Sequence, residues 1–414
     1  MAIKDYQSKL QEHLSRLPSS PALSEDDMRI LHTYALQFKP TFQELKSLQS
    51  IFIDFKMWGQ VLELSLPFKN KDALLSHYKT LHQQLIKEGR HYSSQSLREE
   101  NQPHFNYKHL PPEDIILGTC PVASEKTLCC NLQTLDAARN CAFDCSYCSI
   151  RSFYPDNSVY IENNLAEKLA SLKIDPTKTY HIGTGQSSDS LIWGNRSNLF
   201  DALVDFAQKY PNVLLEFKSK SSNVNYFLGK KIPRNIIFTW SLNPDIIIKN
   251  EEPMTSTLAD RLKAAKSIAA GGNLVGFHFH PIFIYEGYQQ DYAALINQLL
   301  TGFTAGQLAM ISMGTLTFTK KTMRLIRRRN IKSKVLQMEL EETAGKYSHP
   351  ADTKAQLFRE LYQMFRPWHG KVFFYLCMEE KKIWDQAFNF SYASNEDLEN
   401  AMKTAYADKV QNLP

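Results

Sequence analysis

The chain has 414 residues, 43% hydrophobic and 22% charged, with no low-complexity block. This excludes a disordered or fibrous protein and leaves room for one large core or a core with a smaller appended region. A net charge of +5 permits a polyanionic partner without requiring one. The start, MAIKDYQSKLQ, has no apolar signal segment, no later stretch reaches the roughly 18 apolar residues of a bilayer span, and seven cysteines are an odd count for a disulfide framework; the expectation is a cytoplasmic protein, not membrane-bound, whose cysteines bind metal or react.

In chain order, residues 1 to about 100 read as helical. Tyr6, Leu10 and Leu14, and again Leu74, Tyr78, Leu81 and Leu85, recur at helical spacing, and Ser24 to Asp27 and Thr41 to Glu44 fit capping boxes. The amphipathic faces call for a packing surface, most simply the remainder of the chain. A polar linker follows over residues 88–114. The expected division is 1–105, a mostly helical region with linker, and 115–414, a barrel with a C-terminal extension.

From about residue 134 short apolar runs alternate with amphipathic segments. Strands are predicted at 179–185, 212–221, 235–244, 274–285, 308–318 and 371–378, with helices such as NLFDALVDFAQKY and TLADRLKAAKSIAA between them. This alternation implies parallel strands and right-handed crossovers, hence an α/β fold: a partial (β/α)6 TIM-like barrel with an N-terminal helical extension. Polar residues at strand ends would then line the active site.

The sequence RNCAFDCSYCSIR places Cys141, Cys145 and Cys148 on one tight loop. A fully protein-held iron-sulfur cluster takes four cysteines, so three leave one iron open to a substrate or cofactor. Zinc would need a fourth ligand from Cys120, Cys129, Cys130 or a distant histidine.

C-x-x-x-C-x-x-C with an aromatic before the last cysteine resembles the radical S-adenosylmethionine (SAM) superfamily. That resemblance implies a [4Fe-4S] cluster whose open iron chelates SAM, reductive cleavage to a 5′-deoxyadenosyl radical, a low-potential electron donor such as flavodoxin or ferredoxin, and Tyr147 beside the cofactors. A closer resemblance runs from about residue 115 onward. CCNLQTLDAARNCAFDCSYCSI, HIGTGQSSDSL, FTWSLNPD, GFHFHPIFIYEGY and VFFYLCME are similar in order and spacing to the spore photoproduct lyase family, whose members split a methyl-bridged thymine dimer in DNA. It implies that Ser188 and Asp189 hold the SAM amino acid moiety, Lys220 its carboxylate, and Ser241 a further polar contact.

The chain departs from that family where a cysteine returns a hydrogen atom to the product radical with two tyrosines. Gln186 stands at the cysteine's position and Ser149 at that of one tyrosine, and neither side chain has a weak X–H bond; the other tyrosine is kept as Tyr147, which the resemblance implies is catalytic. Cys129, Cys130 and Cys377 are alternative donors or simply small buried hydrophobes.

Substrate contacts are expected at Gln186, His278, His280 and Tyr285. His278 and His280 share one face of a strand, as a pocket pair or as satisfied interior histidines. In the basic run 319–334, Arg324, Arg327 and Arg328 would share a helix face, available to phosphates or to water. EETAGKYSHPAD occupies the place of the family's DNA-probing hairpin with fewer basic and aromatic residues. The expected function is thus a lyase-like radical SAM enzyme acting on nucleic acid, a DNA pyrimidine lesion. The alternatives are a radical SAM enzyme for RNA, a peptide or a small molecule, and a non-catalytic iron-sulfur or zinc protein that binds nucleic acid.

Overall fold

A computed structural model describes residues 3–17, 21–61, 67–88, 90–93, 106–110, 116–120, 126–343 and 345–413. Four helices, Ile3–Arg16, Glu25–Phe38, Phe42–Trp58 and Lys71–Lys87, open the chain. Both expected capping boxes form, at Ser24 with Asp27 and at Thr41 with Glu44, satisfying N–H groups that a first helical turn leaves unpaired. Of the expected apolar stripes, Leu10, Leu74 and Tyr78 are buried. Most of the expected linker lies outside the described residues; within it, Asn106–His109 is a strand running parallel to Ser158–Ile161.

All six predicted strands form, as Tyr180–Gly183, Val213–Ser219, Ile236–Ser241, Val275–Ile282, Leu308–Thr315 and Phe373–Leu376. Each pairs in parallel with the next, and the short strands Gln133–Leu135 (parallel) and Leu117–Thr119 (antiparallel) extend the edge beside Tyr180–Gly183 to make eight. The sheet curls into an open half-barrel with Phe373–Leu376 at its far edge. Ile236–Ser241 and Leu308–Thr315 are buried along their whole length, as strands covered on both faces must be. Helices such as Leu199–Lys209 and Leu258–Ala270 supply the crossovers.

The barrel interior is not wholly apolar. Glu216 accepts from His181 (2.8 Å), His278 (2.9 Å) and Thr239 (2.7 Å), and His278 meets Ser312 through its other ring nitrogen (2.6 Å). Every polar group of this layer has a partner, which a buried network requires. Burial alone would raise the Glu216 carboxyl, but the two histidines hold it well below its usual range, while burial lowers His278 to about 4. The result is a buried carboxylate beside a neutral His278 imidazole. The C-terminal helix Asn395–Gln411 packs on this end of the sheet, with Tyr406 edge-on to His181 at 5.3 Å.

The N-terminal helices rest on the basic helix Lys320–Arg327 and on the segment that follows it. Arg327 makes a two-pronged pair with the buried Asp54 (2.7 and 2.8 Å), the Met57 carbonyl accepts from the Ser333 N–H (2.9 Å), and the Gln337 side chain donates to the Leu85 carbonyl (2.9 Å). Among the described residues no helix is long and apolar enough to cross a membrane.

Candidate active site

The strand ends gather around a cavity of about 310 Å³, a size suited to a small-molecule ligand. Cys141, Cys145 and Cys148 form one wall. Gln186 follows the strand Tyr180–Gly183, Lys218 and Lys220 end Val213–Ser219, and Ser241 ends Ile236–Ser241. His280, Thr315 and Met378 come from the next three strands, so six consecutive strands contribute at the end where β/α folds place their chemistry.

The cysteine loop is held from outside by residues far away in sequence. Two adjacent glutamates grip two adjacent loop residues. Ser146 donates its N–H to the Glu251 carbonyl (2.9 Å) and its hydroxyl to the Glu251 carboxylate, and the Tyr147 phenol donates to Glu252. Glu252 pairs with Arg261 (2.7 Å), both side chains fully buried, and Arg261 also donates to the Ser241 carbonyl (2.8 Å). Burial would raise Glu252, yet Arg261 and Lys220 hold its carboxyl below the usual range, so Tyr147 hydrogen-bonds to an anion. The Lys220 ammonium stands over the Tyr147 ring at 5.7 Å.

Arg329 supplies the remaining grip. Its guanidinium donates to three successive carbonyls, Asp144 (3.1 Å), Cys145 (3.0 Å) and Ser146 (3.1 Å), and to the Asp144 carboxylate. This is the planar fork that lysine cannot reproduce.

Burial pushes the Cys141 thiol well above its ordinary value, helped by Asp189, and pushes Cys145 up to about 12 against the pull of Lys220. Among the described residues no three His, Cys, Asp or Glu side chains gather as the ligands of one ion would. The three cysteines line the cavity from one loop, and three thiolates on one cubane leave its fourth iron for a further ligand. The donor set therefore fits a [4Fe-4S] cluster.

The other expected site residues divide. Ser188, Asp189, Lys220, Ser241, Gln186, His280 and Tyr147 all line the cavity. Asp189, however, accepts from the N–H groups of Leu191, Ile192 and Lys220 (3.0, 3.0 and 2.7 Å) and from the Ser219 hydroxyl (2.8 Å). Ser188 donates to the Asn140 carbonyl (2.7 Å) and accepts from Trp193 (3.0 Å). Both are engaged in shaping the site, because a buried carboxylate or hydroxyl must be satisfied from within. Gly185 lies so close to the neighbouring strand that a Cβ would sit 2.4 Å from the Lys218 carbonyl oxygen.

His280 is kept neutral, first by burial and then by Lys218 and its neighbours. His278 belongs to the polar layer deeper in the barrel and does not line the cavity. Tyr285 also stands outside it, buried against Tyr92 with its hydroxyl on Asp291 (2.7 Å). Of the basic run, Arg327 is committed to Asp54, the helix ends at Arg327, and Arg324 and Arg328 are exposed away from the cavity. The shared phosphate-facing helix face is therefore not what the fold builds. The buried acid of the N-terminal helices captures Arg327, and Arg329 serves the cysteine loop. The short hairpin Glu341–Thr343 and Lys346–Ser348 joins Thr317–Thr319 at the cavity rim, to which it contributes Lys346.

Comparison with known proteins agrees with this geometry. The spore photoproduct lyase family model matches residues 132–361. The spore photoproduct lyases of Bacillus subtilis (strain 168) and Geobacillus sp. (strain Y412MC61) are each 33% identical, over 135 and 140 residues, which is 32% of this chain and 39% of each relative. The chain thus spans about two fifths of the length of the curated relatives it matches. A solved spore photoproduct lyase complexed with dinucleoside spore photoproduct superposes with a TM-score of 0.56 at 16% identity, covering 79% of this chain and 94% of that one. A mutant of such a lyase with bound AdoMet and dinucleoside spore photoproduct gives 0.53 at 19% identity, covering 63% and 79%. At these identities the likeness is one of fold.

Proposed function

The chain belongs to the spore photoproduct lyase family, whose cofactors are a [4Fe-4S] cluster and SAM, and from that premise we propose that it is a radical SAM enzyme acting on a pyrimidine lesion in DNA. The observation that carries the reading is the single cavity shared by Cys141, Cys145, Cys148 and the Lys220 ammonium. When bound, the cluster supplies the electron that cleaves the SAM sulfonium.

The protein's own groups bind, orient and shield. Cys141, Cys145 and Cys148 are the metal ligands. Lys220 and Ser241 meet the polar end of SAM, an ammonium suiting its carboxylate. Asp189 and Ser188 act through the chain, Asp189 by fixing the Lys220 backbone and Ser188 by fixing the loop at Asn140. Tyr147, held by Glu252, keeps its ring between the cysteine loop and Lys220. Phe143, Ile150, Phe153 and Phe318 give the cavity apolar walls that exclude water.

Gln186 and the neutral His280 face the substrate side, where an amide reads the edge of a base and a neutral imidazole donates or accepts. Lys218 and Lys346 offer cations to phosphates. Because Gln186 replaces the family's hydrogen-donating cysteine, the proposed lesion differs from the spore photoproduct. The catalytic unit is taken as 115–414 with 1–105 as a helical extension, and the electron donor as a flavodoxin or ferredoxin.

The test is SAM turnover by cluster-loaded protein with ultraviolet-irradiated and unirradiated DNA. Stimulation confined to irradiated DNA is the expected result. Turnover indifferent to DNA but altered by RNA, a peptide or a small molecule would replace the substrate class.

A further inference from the structure

Beside the cavity, next to the start of the cysteine loop, stands a group of exposed side chains that the catalytic site does not use. The edge strand Asn106–His109 is exposed along its whole length. Its Tyr107 keeps 54% of its surface open although the ring meets two neighbours. The Trp193 indole stands perpendicular to it with centroids 6.0 Å apart, and the Arg196 guanidinium lies 4.7 Å from its centroid.

Trp193 ties this group to the cavity. Its indole N–H donates to the hydroxyl of the cavity residue Ser188 (3.0 Å), which donates in turn to the Asn140 carbonyl beside Cys141 (2.7 Å). The backbone gives a second tie. Asn106–His109 pairs with Ser158–Ile161, and that strand pairs with Ala138–Arg139, which leads straight into the cysteine loop.

The turn that carries Arg196 is fixed and presents it outward. The Asn195 side-chain carbonyl accepts from the Phe200 and Asp201 N–H groups (2.9 and 3.1 Å), and Ser197 and Asn198 take left-handed φ values of 52° and 57°, a costly conformation for residues other than glycine. Exposed Arg196 makes no hydrogen bond and no ion pair among the described residues. The acids on the adjoining segments are engaged elsewhere: Asp156 by Lys108 (2.7 Å), and Asp201 by Asn195 (2.7 Å) and Tyr226. Arg196 thus holds an unused fork of donors beside an open aromatic ring.

We propose that Tyr107, Trp193 and Arg196 form a platform for single-stranded DNA, on which a base neighbouring the one in the cavity stacks against Tyr107 while Arg196 meets a phosphate. The proposal rests on the reading of the substrate as nucleic acid. An open aromatic ring beside a free cation suits an unpaired strand, because every base has a π-face and every link a negative charge. In a duplex those faces are already stacked on one another, which leaves only the backbone to bind. The cavity argues in the same direction, since a base must leave the stack to enter it. Lys218 and Lys346 in that cavity add positive charge on the same side, which favours a polyanion over a neutral or basic peptide.

The experiment measures fluorescence anisotropy of a labelled oligothymidylate of about twelve nucleotides, single-stranded or annealed to its complement, with the full-length, cluster-loaded protein under anaerobic conditions. The single strand should bind at least about tenfold tighter than the duplex, and Tyr107→Ala should weaken single-strand binding about tenfold, with Tyr107→Phe restoring it. Arg196→Gln should also weaken it and reduce the slope of log affinity against log salt by about 0.7, whereas Tyr107→Ala leaves that slope unchanged. Iron content and SAM cleavage without DNA should match wild type in all three variants. Equal affinity for strand and duplex, or wild-type single-strand affinity in both Tyr107→Ala and Arg196→Gln, would overturn the platform. If irradiated DNA still stimulates SAM turnover in that event, the reading of the substrate survives the loss of the platform; a wild type that binds neither form and whose turnover no DNA alters would overturn both.

Discussion

Replacing Arg329 by glutamine removes the fork that closes on Asp144, Cys145 and Ser146. A hydrogen bond to a charged group contributes about 1.5–3 kcal/mol net, and the bonds of one guanidinium are not additive. Asp144 keeps a second partner in Arg151 at 2.6 Å, which limits the loss. About 3 kcal/mol is therefore the expected destabilisation of the closed loop, roughly a 150-fold rise in its open population at 1.4 kcal/mol per tenfold. Hydrogen exchange over residues 141–149 of the metal-free protein reads this directly, because opening exposes the loop amides. Exchange should accelerate by about two orders of magnitude there while distant strands stay protected, and iron retention should fall in the loaded protein. Loop protection within about threefold of wild type, in an Arg329→Gln protein with native circular dichroism, would refute the view that this arginine holds the loop.

Other perturbations separate the remaining parts of the account. Glu252→Gln leaves Arg261 charged and fully buried without its anion, and an unfolding free energy lowered by about 3–5 kcal/mol in urea is expected; an unchanged urea midpoint would contradict the pairing. Gly185→Ala drives a Cβ onto the Lys218 carbonyl, so SAM affinity should fall at least tenfold by equilibrium binding, the strand ends being forced apart; wild-type affinity would show that the close approach is dispensable. Glu379 is raised to about 7 by burial although Lys354 pulls it down from 2.6 Å. Between its ordinary value near 4.5 and about 7 the folded chain holds a proton that the unfolded chain has lost, so this group's contribution weakens as pH rises through that window. The Glu379→Gln variant should accordingly show a less negative slope of stability against pH between those limits than wild type, and equal slopes would count against the shift.

Much of the fold could be read in the chain because its signals are local. The six strands are mainly apolar runs, as strands covered on both faces tend to be, interrupted by the polar layer of His181, Glu216, Thr239, His278 and Ser312, and the helix starts carry their own caps at Ser24 and Thr41. The cysteine loop was legible for the same reason, since Cys141, Cys145 and Cys148 lie within one turn of chain. The supports of that loop were not. Glu251 and Glu252 sit 105 residues from Ser146 and Tyr147, and Arg329 lies 184 from Cys145, so only the folded sheet reveals their pairing. Arg327 and Tyr285 carried the same types of side chain as a ligand site would, but a buried acid and a neighbouring helix claimed them first. The adjacent Glu251 and Glu252 were the one available hint, since two consecutive carboxylates in an apolar context need buried partners.

The most direct test of the central claim is anaerobic reconstitution with iron and sulfide, followed by reduction in the presence of SAM and quantification of 5′-deoxyadenosine, in wild type and Cys145→Ala. Nucleoside formed by the loaded wild type and lost in the variant is the predicted result. A verified intact cluster that yields no nucleoside with SAM would contradict it.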